Sequence, residues 1–347
     1  MDATGKETNI FFIGLMVLIL CLAFVSDTQE ETLHIAYGKV GEETNVYTML
    51  FTGDIMLARE VERMMERTEP EYPFLGIQDI VRRADVAVGN FEASVPEVHK
   101  ETPDFGFQFS VASSVLPVLR DIGFDYLGLA NNHTFDFGRE GYEHTRRVCD
   151  EAALVCMGTP EIVTHTRVPV GDIAVSILTL NLVSGTLDES RLEEELSRMR
   201  STSDLQVAYI HWGEEYMSQH HSGQETLAHM LIDQGVDAVI GHHPHVVQGI
   251  EIYEEKPIFY SLGNLVFDQY FDTAVQEGLM VQLAITADTL AYTLIPVTSV
   301  ATPSQPQLMG LDARDAFLAN LGTRATLVFR RSGLANRTII SSMEGHE

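Results

Sequence analysis

Positive charge is scarce in this chain. Lysine occurs only at Lys6, Lys39, Lys100 and Lys256, and Lys and Arg together number 22 against 50 Asp and Glu, a formal net charge of −28 over 347 residues. Binding to a phosphate backbone needs clustered cations, so nucleic acid is excluded as a partner. An acidic, lysine-poor surface fits a high-salt setting, where self-repulsion is screened, and equally an ordinary acidic secreted protein. Cysteine is also sparse: Cys21, Cys149 and Cys156 are too few for a disulfide scaffold, and no spacing suggests a zinc ribbon. The interval between Cys149 and Cys156 reads as a helix followed by a turn, which predicts two inert buried thiols. Internal repeats and low-complexity tracts are absent. What is present is a hydrophobic content of 45%, enough for a sizeable core in one large domain or two small ones.

Long apolar runs are lacking too, with one exception. Residues 10–25 are unbroken by any polar side chain, yet fall short of the ~20 residues of a relaxed spanning helix. Lys6 precedes the run, and Asp27, Glu30 and Glu31 follow it, which places the N-terminus inside and the body outside the membrane. A cleaved signal peptide and an uncleaved anchor both fit. Phe24 spoils a small-x-small cleavage site, which favours the anchor. The expected organisation is an anchor or signal segment (1–26), a tether (27–46), a main domain (47–300) and a C-terminal extension (301–347).

From residue 48 one arrangement recurs: an apolar, strand-like run ends in residues able to bind metal or move protons. Residues 48–51 lead to Gly53-Asp54, and 86–88 to Asn90 and Glu92. Residues 126–130 lead to Asn131, Asn132 and His133, with Asp136 soon after. Residues 207–210 lead to His211, Glu214 and Glu215. Residues 236–240 lead to Gly241-His242-His243-Pro244-His245, and 258–260 to Asn264 and Asp268. Helical stretches lie between them, at 59–67, 78–84, 116–121, 140–153, 192–200 and 224–234. Strands alternating with helices mean α/β, and six such strand ends predict one crevice at the carboxyl edge of a sheet. His243 and His245, two apart, share a side in an extended segment and can reach one metal. Residues 279–286 and 290–297 read as an antiparallel pair.

The strings Gly-Asp-Ile-Met-Leu-Ala-Arg (53–59), Ala-Asp-Val-Ala-Val-Gly-Asn-Phe-Glu (84–92), Ala-Asn-Asn-His-Thr-Phe-Asp-Phe-Gly (130–138), His-Trp-Gly-Glu-Glu-Tyr (211–216), Gly-His-His-Pro-His-Val-Val-Gln (241–248) and Tyr-Ser-Leu-Gly-Asn-Leu-Val-Phe-Asp-Gln (260–269) follow in that order. Together they resemble the CapA family of poly-γ-glutamate capsule synthesis proteins, within the calcineurin-like metallophosphoesterase superfamily. The resemblance implies a central β-sandwich flanked by helices and a site for one or two divalent ions, Mn, Fe or Zn. It implies Asp54 on the first metal, Asn90 or Glu92 in the bridging place, Asn132 on the second metal, and His211, His243 and His245 as imidazole ligands. His133 would face the leaving group, with Asp136 and Glu215 as further acid–base candidates. Asn264 and Asp268 read as loop-fixing groups, and Trp212 as packing. His99, His165, His220, His221 and His229 match no motif and are expected to face solvent.

Two departures matter. Met56 stands where the superfamily's first motif has histidine, and a thioether is a poor ligand for hard ions. Asn90 stands where an aspartate is usual. The expected function is an extracytoplasmic, metal-dependent hydrolase-like protein of capsule or poly-γ-glutamate production. The membrane, through residues 10–25, and capsule polymer or other capsule-synthesis proteins are the expected partners. The alternatives are a non-catalytic scaffold or polymer-handling member of the fold, and a metallophosphatase of small phosphate esters.

Overall fold

Alternation of side chains along the first strand sets the layers. In β1 (Tyr47–Ile55) Met49 and Phe51 face one way and Leu50 the other, a register shift between Phe51 and Asp54 brings Ile55 to the side of Leu50, and all are buried. A strand buried on both faces must lie inside a layered structure. The computed structural model describes residues 45–331. The anchor expected at 1–26, almost all of the tether and the end of the C-terminal extension lie outside them. Among the described residues no helix is long and apolar enough to cross a membrane.

After β1 the chain runs through α1 (Arg59–Arg67), α2 (Gln78–Arg83), β2 (Val86–Phe91), α3 (Val115–Ile122), β3 (Tyr126–Gly128), α4 (Gly138–Glu151) and β4 (Val155–Met157). These four strands pair in parallel, in the order β1-β2-β3-β4. A second sheet follows: β5 (Thr164–Val170), β6 (Ile173–Asn181), α5 (Glu189–Thr202), β7 (Leu205–His211), α6 (Ser222–Asp233), β8 (Ala238–His242), β9 (Ile250–Tyr253) and β10 (Lys256–Phe259), ordered β5-β6-β7-β8-β10-β9. The chain then returns to the first sheet. β11 (Asn264–Val266) pairs with β1, and β12 (Glu277–Ile285) and β13 (Thr289–Thr298) form an antiparallel pair beside it. β14 (Gln307–Leu308), α7 (Leu311–Asn320) and β15 (Thr326–Arg330) extend that edge, so residues beyond 300 are built into the first sheet.

The sheets pack face to face. Met49, Phe51 and Val88 of the first meet Val175, Ile177, Val207, Tyr209 and Ile240 of the second in one core. On the outer face of the first sheet, Leu50, Ala87 and Leu127 pack against Val61, Val81, Leu116 and Val148 of the four helices. On the outer face of the second, Leu178, Ala208 and Val239 pack against Leu192, Leu196, Leu231 and Ile232. The architecture is mixed α/β, a two-sheet sandwich flanked by helices, as the sequence led one to expect. β5 and the wholly buried β6 were not foreseen, although the apolar string 173–181 announces a strand.

Local chemistry fixes the helices that lead into the site. α6 opens with a capping box: His221 Nδ1 accepts from Gly223 N at 3.1 Å and Gln224 N at 3.3 Å, and Gln224 Oε1 accepts from His221 N. It closes at Gly235, whose φ of 101° favours glycine and turns the chain into the second sheet.

Two expectations are corrected here. Cys149 and Cys156 are not separate thiols but form a disulfide. Ala153, with φ of 57°, reverses the chain so that β4 returns beside the last turn of α4, bringing the two Cα atoms to 6.1 Å. Nor are the unassigned histidines simply solvent-facing. His99, His165 and His229 pair with Glu62, Glu195 and Glu251, His221 caps α6, and the His220 ring stacks on Tyr260 at 3.5 Å.

Candidate metal centre

Strand register assembles the site. Asp54 in β1 is paired with Asn264 of β11 on one side and Asn90 of β2 on the other. In the second sheet, His211 at the end of β7 is paired with His242 at the end of β8. The approach of β11 is so close that a Cβ on Gly53 would lie 2.0 Å from the carbonyl oxygen of Gly263. Only glycine allows Asp54 N to donate to that oxygen at 3.0 Å.

Asp54 is fully buried. Its Oδ1 accepts from Asn90 Nδ2 at 2.8 Å, and its Oδ2 accepts from the His243 backbone N–H at 3.2 Å. His242 Nδ1 and His245 Nδ1 each stand 3.3 Å from one of its oxygens. Burial opposes the charge on Asp54, but these imidazoles overcome it and hold the carboxyl well below the usual range.

Glu92 lies just beyond β2, is fully buried, and neither of its oxygens has a hydrogen-bond partner. Its Oε1 faces His211 Nε2 and His245 Nε2 at 3.8 Å and His133 Nε2 at 3.9 Å. Burial pushes its carboxyl well above the usual range, and Asp54, Glu215 and Asp136 add to the effect. Burial likewise holds His211 well below its ordinary value, and His243 at about 4, with His243 and His245 respectively adding repulsion. Neutral imidazoles present lone pairs, and an unpartnered buried carboxylate presents two more acceptors. This is the donor set that a divalent cation satisfies.

Ligand atoms of Asp54, Glu92 and His211, and of Glu92, His243 and His245, lie within 4.8 Å of one another in two groups sharing Glu92. The structure therefore brings together five of the seven expected metal ligands. The other two adjoin the same site: Asn90 donates to Asp54, and Asn132 Oδ1 lies 2.7 Å from His211 Nε2. His243 and His245 converge for a reason the periodicity did not contain. Their φ values of 96° and 59° are left-handed, so a turn and not an extended segment aims the rings.

Of the acid–base candidates, His133 and Asp136 pair at 2.9 Å through Nδ1 and Oδ2. Asp136 Oδ2 also accepts from Phe109 N at 2.6 Å, and the Phe109 ring packs on His133 at 4.1 Å. The imidazole is thus fixed with Nε2 toward Glu92. Glu215 is exposed, on the loop after β7. Asn264 Oδ1 meets His245 Nδ1 at 3.0 Å, and Asp268 forms an ion pair with Arg59, so both anchor their surroundings. Trp212 donates to Tyr260 O at 2.9 Å in the core.

Met56 is not at the site. It is fully buried in the apolar core, its Sδ accepting from Ala58 N at 3.1 Å. His242 and Tyr209 are residues the sequence reading left out. His242 is fully buried beside Asp54, its two ring nitrogens make no hydrogen bond, and its ring packs on Tyr209 at 4.2 Å. The Tyr209 hydroxyl is likewise buried without a partner. The signal for His242 was its place in the 241–245 string, but period-two reasoning selects its neighbours.

The chain has relatives among capsule proteins. It is 27% identical to the capsule biosynthesis protein CapA of Bacillus anthracis, over 88% of this chain and 80% of the relative. It is 30% identical to the PGA biosynthesis protein CapA of Bacillus subtilis (strain 168), over 80% of this chain and 77% of the relative. A hypothetical protein from Thermus thermophilus aligns with 82% of this chain and 99% of its own at 16% identity, with a TM-score of 0.44, too distant to bear on the chemistry. The profile of the bacterial capsule synthesis protein PGA_cap matches residues 48–269, a span holding every site residue described above, and the chain belongs to that family.

Proposed function

We propose that this protein is a metal-dependent hydrolase of capsule or poly-γ-glutamate production that acts on a phosphate ester. The observation that carries the reading is Glu92, a fully buried carboxylate with both oxygens unpartnered, shared by two groups of metal-binding side chains. Asp54, Glu92 and His211 would hold one ion and Glu92, His243 and His245 a second. Mn, Fe or Zn suits these oxygen and imidazole donors. Two such ions polarise a phosphoryl oxygen and acidify water. The protein's own contribution is His133. Asp136 fixes its ring through Nδ1, so Nε2 is placed to give a proton to the leaving group. The calcineurin-like relationship drawn from the motifs fits this donor set, and the names of the relatives support the capsule role.

The Cys149–Cys156 disulfide and the charge pattern around residues 10–25 support an extracytoplasmic body held by an N-terminal anchor, with the membrane and capsule polymer or other capsule proteins as partners. A non-catalytic, polymer-handling role has one observation in its favour: Met56 is withdrawn into the core, so the first motif supplies a single ligand. Metal analysis and turnover separate the two. The purified chain should take up one or two ions of Mn, Fe or Zn per molecule and cleave an aryl phosphate, and a chelator should abolish cleavage. Metal uptake without any hydrolysis would favour the scaffold, and no uptake would refute the site.

A further inference from the structure

The chain has 17 Phe and 11 Tyr. Among the described residues only Phe105, Phe107, Tyr216, Tyr270 and Phe271 are exposed aromatics; the Tyr270 hydroxyl meets Ser304 Oγ at 2.5 Å, and the other four stand on loops next to residues of the metal centre. Phe105 and Phe107, 91% and 74% exposed, flank Gly106, whose carbonyl accepts from Arg59 Nη1 at 3.4 Å. The Arg59 guanidinium in turn lies 4.7 Å over the Phe109 ring that packs on His133. From the other loops, the Tyr216 ring lies 6.1 Å from His245 and 5.1 Å from Phe271, and Gln269 Nε2 donates to the Tyr216 hydroxyl at 3.1 Å. Tyr270 and Phe271 follow the Asp268 that pairs with Arg59.

The loop that displays Phe105 and Phe107 is fastened, not loose. Arg63 pairs with Glu101 and Asp104, Gly106 N donates to Pro103 O at 2.8 Å, and Gln108 Nε2 donates to Asp136 O at 3.1 Å. Holding bare aromatic rings in water gains the fold nothing, and gathering four of the five beside one polar site marks a surface for a ligand. We infer that this rim receives the apolar body of an amphiphilic anion, a long-chain phosphomonoester, whose head group lies on the metal centre. The inference rests on the reading of that centre as a phosphate-ester site.

Charge selects the occupant. The exposed Glu214, Glu215 and Asp272, beside Tyr216 and Phe271 in the chain, repel an acidic polymer or an anionic bilayer lying across the rim. A single-headed amphiphile places its one phosphate at the metal centre and its carbon chain on the rings.

The test uses the full chain in amphipol, loaded with Mn(II) and titrated calorimetrically with inorganic phosphate and with ethyl, butyl and octyl phosphate below their micelle concentrations. A fully buried methylene is worth about fourfold in affinity, so a chain partly covered by the rim should gain at least about tenfold from ethyl to octyl. The Phe105→Ser/Phe107→Ser double variant should lose most of that gain and bind inorganic phosphate as the wild type does. Phe271→Ser, on another loop, should lose part of it. Both changes are on exposed side chains, and near-ultraviolet circular dichroism checks the fold. No phosphate binding by the loaded wild type would overturn the phosphate-ester reading and this inference with it. Phosphate binding with equal affinity for ethyl and octyl phosphate would overturn the inference alone. Equal affinities combined with capture by phosphatidylcholine vesicles that the double variant loses would assign the rim to a lipid surface instead.

Discussion

Glu92→Gln should change its effect on stability when metal is supplied. In the fold Glu92 is fully buried, with neither oxygen bonded and three imidazole Nε2 atoms 3.8 or 3.9 Å away. A buried acceptor left unmade costs about 1–3 kcal/mol, and a charged one more. Glutamine keeps the shape, removes the cost of either burying the charge or holding a proton on an acid, and presents a donor to imidazole lone pairs. In chelator the variant should therefore be the more stable protein, by about 1–3 kcal/mol. With free Mn(II) at a hundred times its dissociation constant, the wild type gains about 2.7 kcal/mol that a variant lacking the shared carboxylate does not. At about 2 °C per kcal/mol for a domain of this size, the variant should melt about 2–6 °C higher in chelator, and Mn(II) should move the difference about 5 °C in favour of the wild type. Calorimetric melts of both proteins with and without Mn(II) make the comparison. A difference in melting temperature that is the same under both conditions would refute the argument that Glu92 is there for a cation.

Four further outcomes are expected. His133→Asn should lower phosphate-ester hydrolysis by about 100-fold or more and leave metal content unchanged, read by turnover and elemental analysis. Replacing Cys149 and Cys156 by Ser should cost about 2.5 kcal/mol in a denaturant titration under oxidising conditions, from the closure entropy of so short a loop, and reductant should bring the wild type to the same value. Met56→His should lower stability by about 1–3 kcal/mol and bring no extra metal, because the imidazole enters an apolar core; tighter metal binding would contradict the packing. Burial raises the Glu62 carboxyl above its ordinary 4.5, with His99 opposing the shift. The fold thus favours the protonated acid, so the contribution is present below pH 4.5 and lost as pH rises through the raised value. Melts should show the wild type losing ground to Glu62→Gln from pH 4.5 toward neutrality.

Much of the site was legible because strands carry their chemistry at a fixed place. Asp54, Glu92, His211 and the histidines at 243 and 245 each follow an apolar run, and a parallel sheet gathers such ends along one edge. The disulfide was missed because sequence spacing does not show that Ala153 turns β4 back beside α4. His242 was missed because its burial comes from pairing across strands with His211, a partner that no local period reveals.

By itself, the sequence determined the alternation of strands and helices, the acidic surface, the family and the list of groups able to bind metal, since each is written in residue type and local order. Only the tertiary structure decided which of those groups meet. Register sets Asn90 against Asp54 and so leaves Glu92 as the shared carboxylate. Two left-handed residues aim His243 and His245. Packing draws Met56 into the core and leaves four exposed aromatic rings on loops beside the site. These are contacts between residues far apart in the chain, fixed by closure of the two sheets on one another, and a one-dimensional pattern carries no term for them.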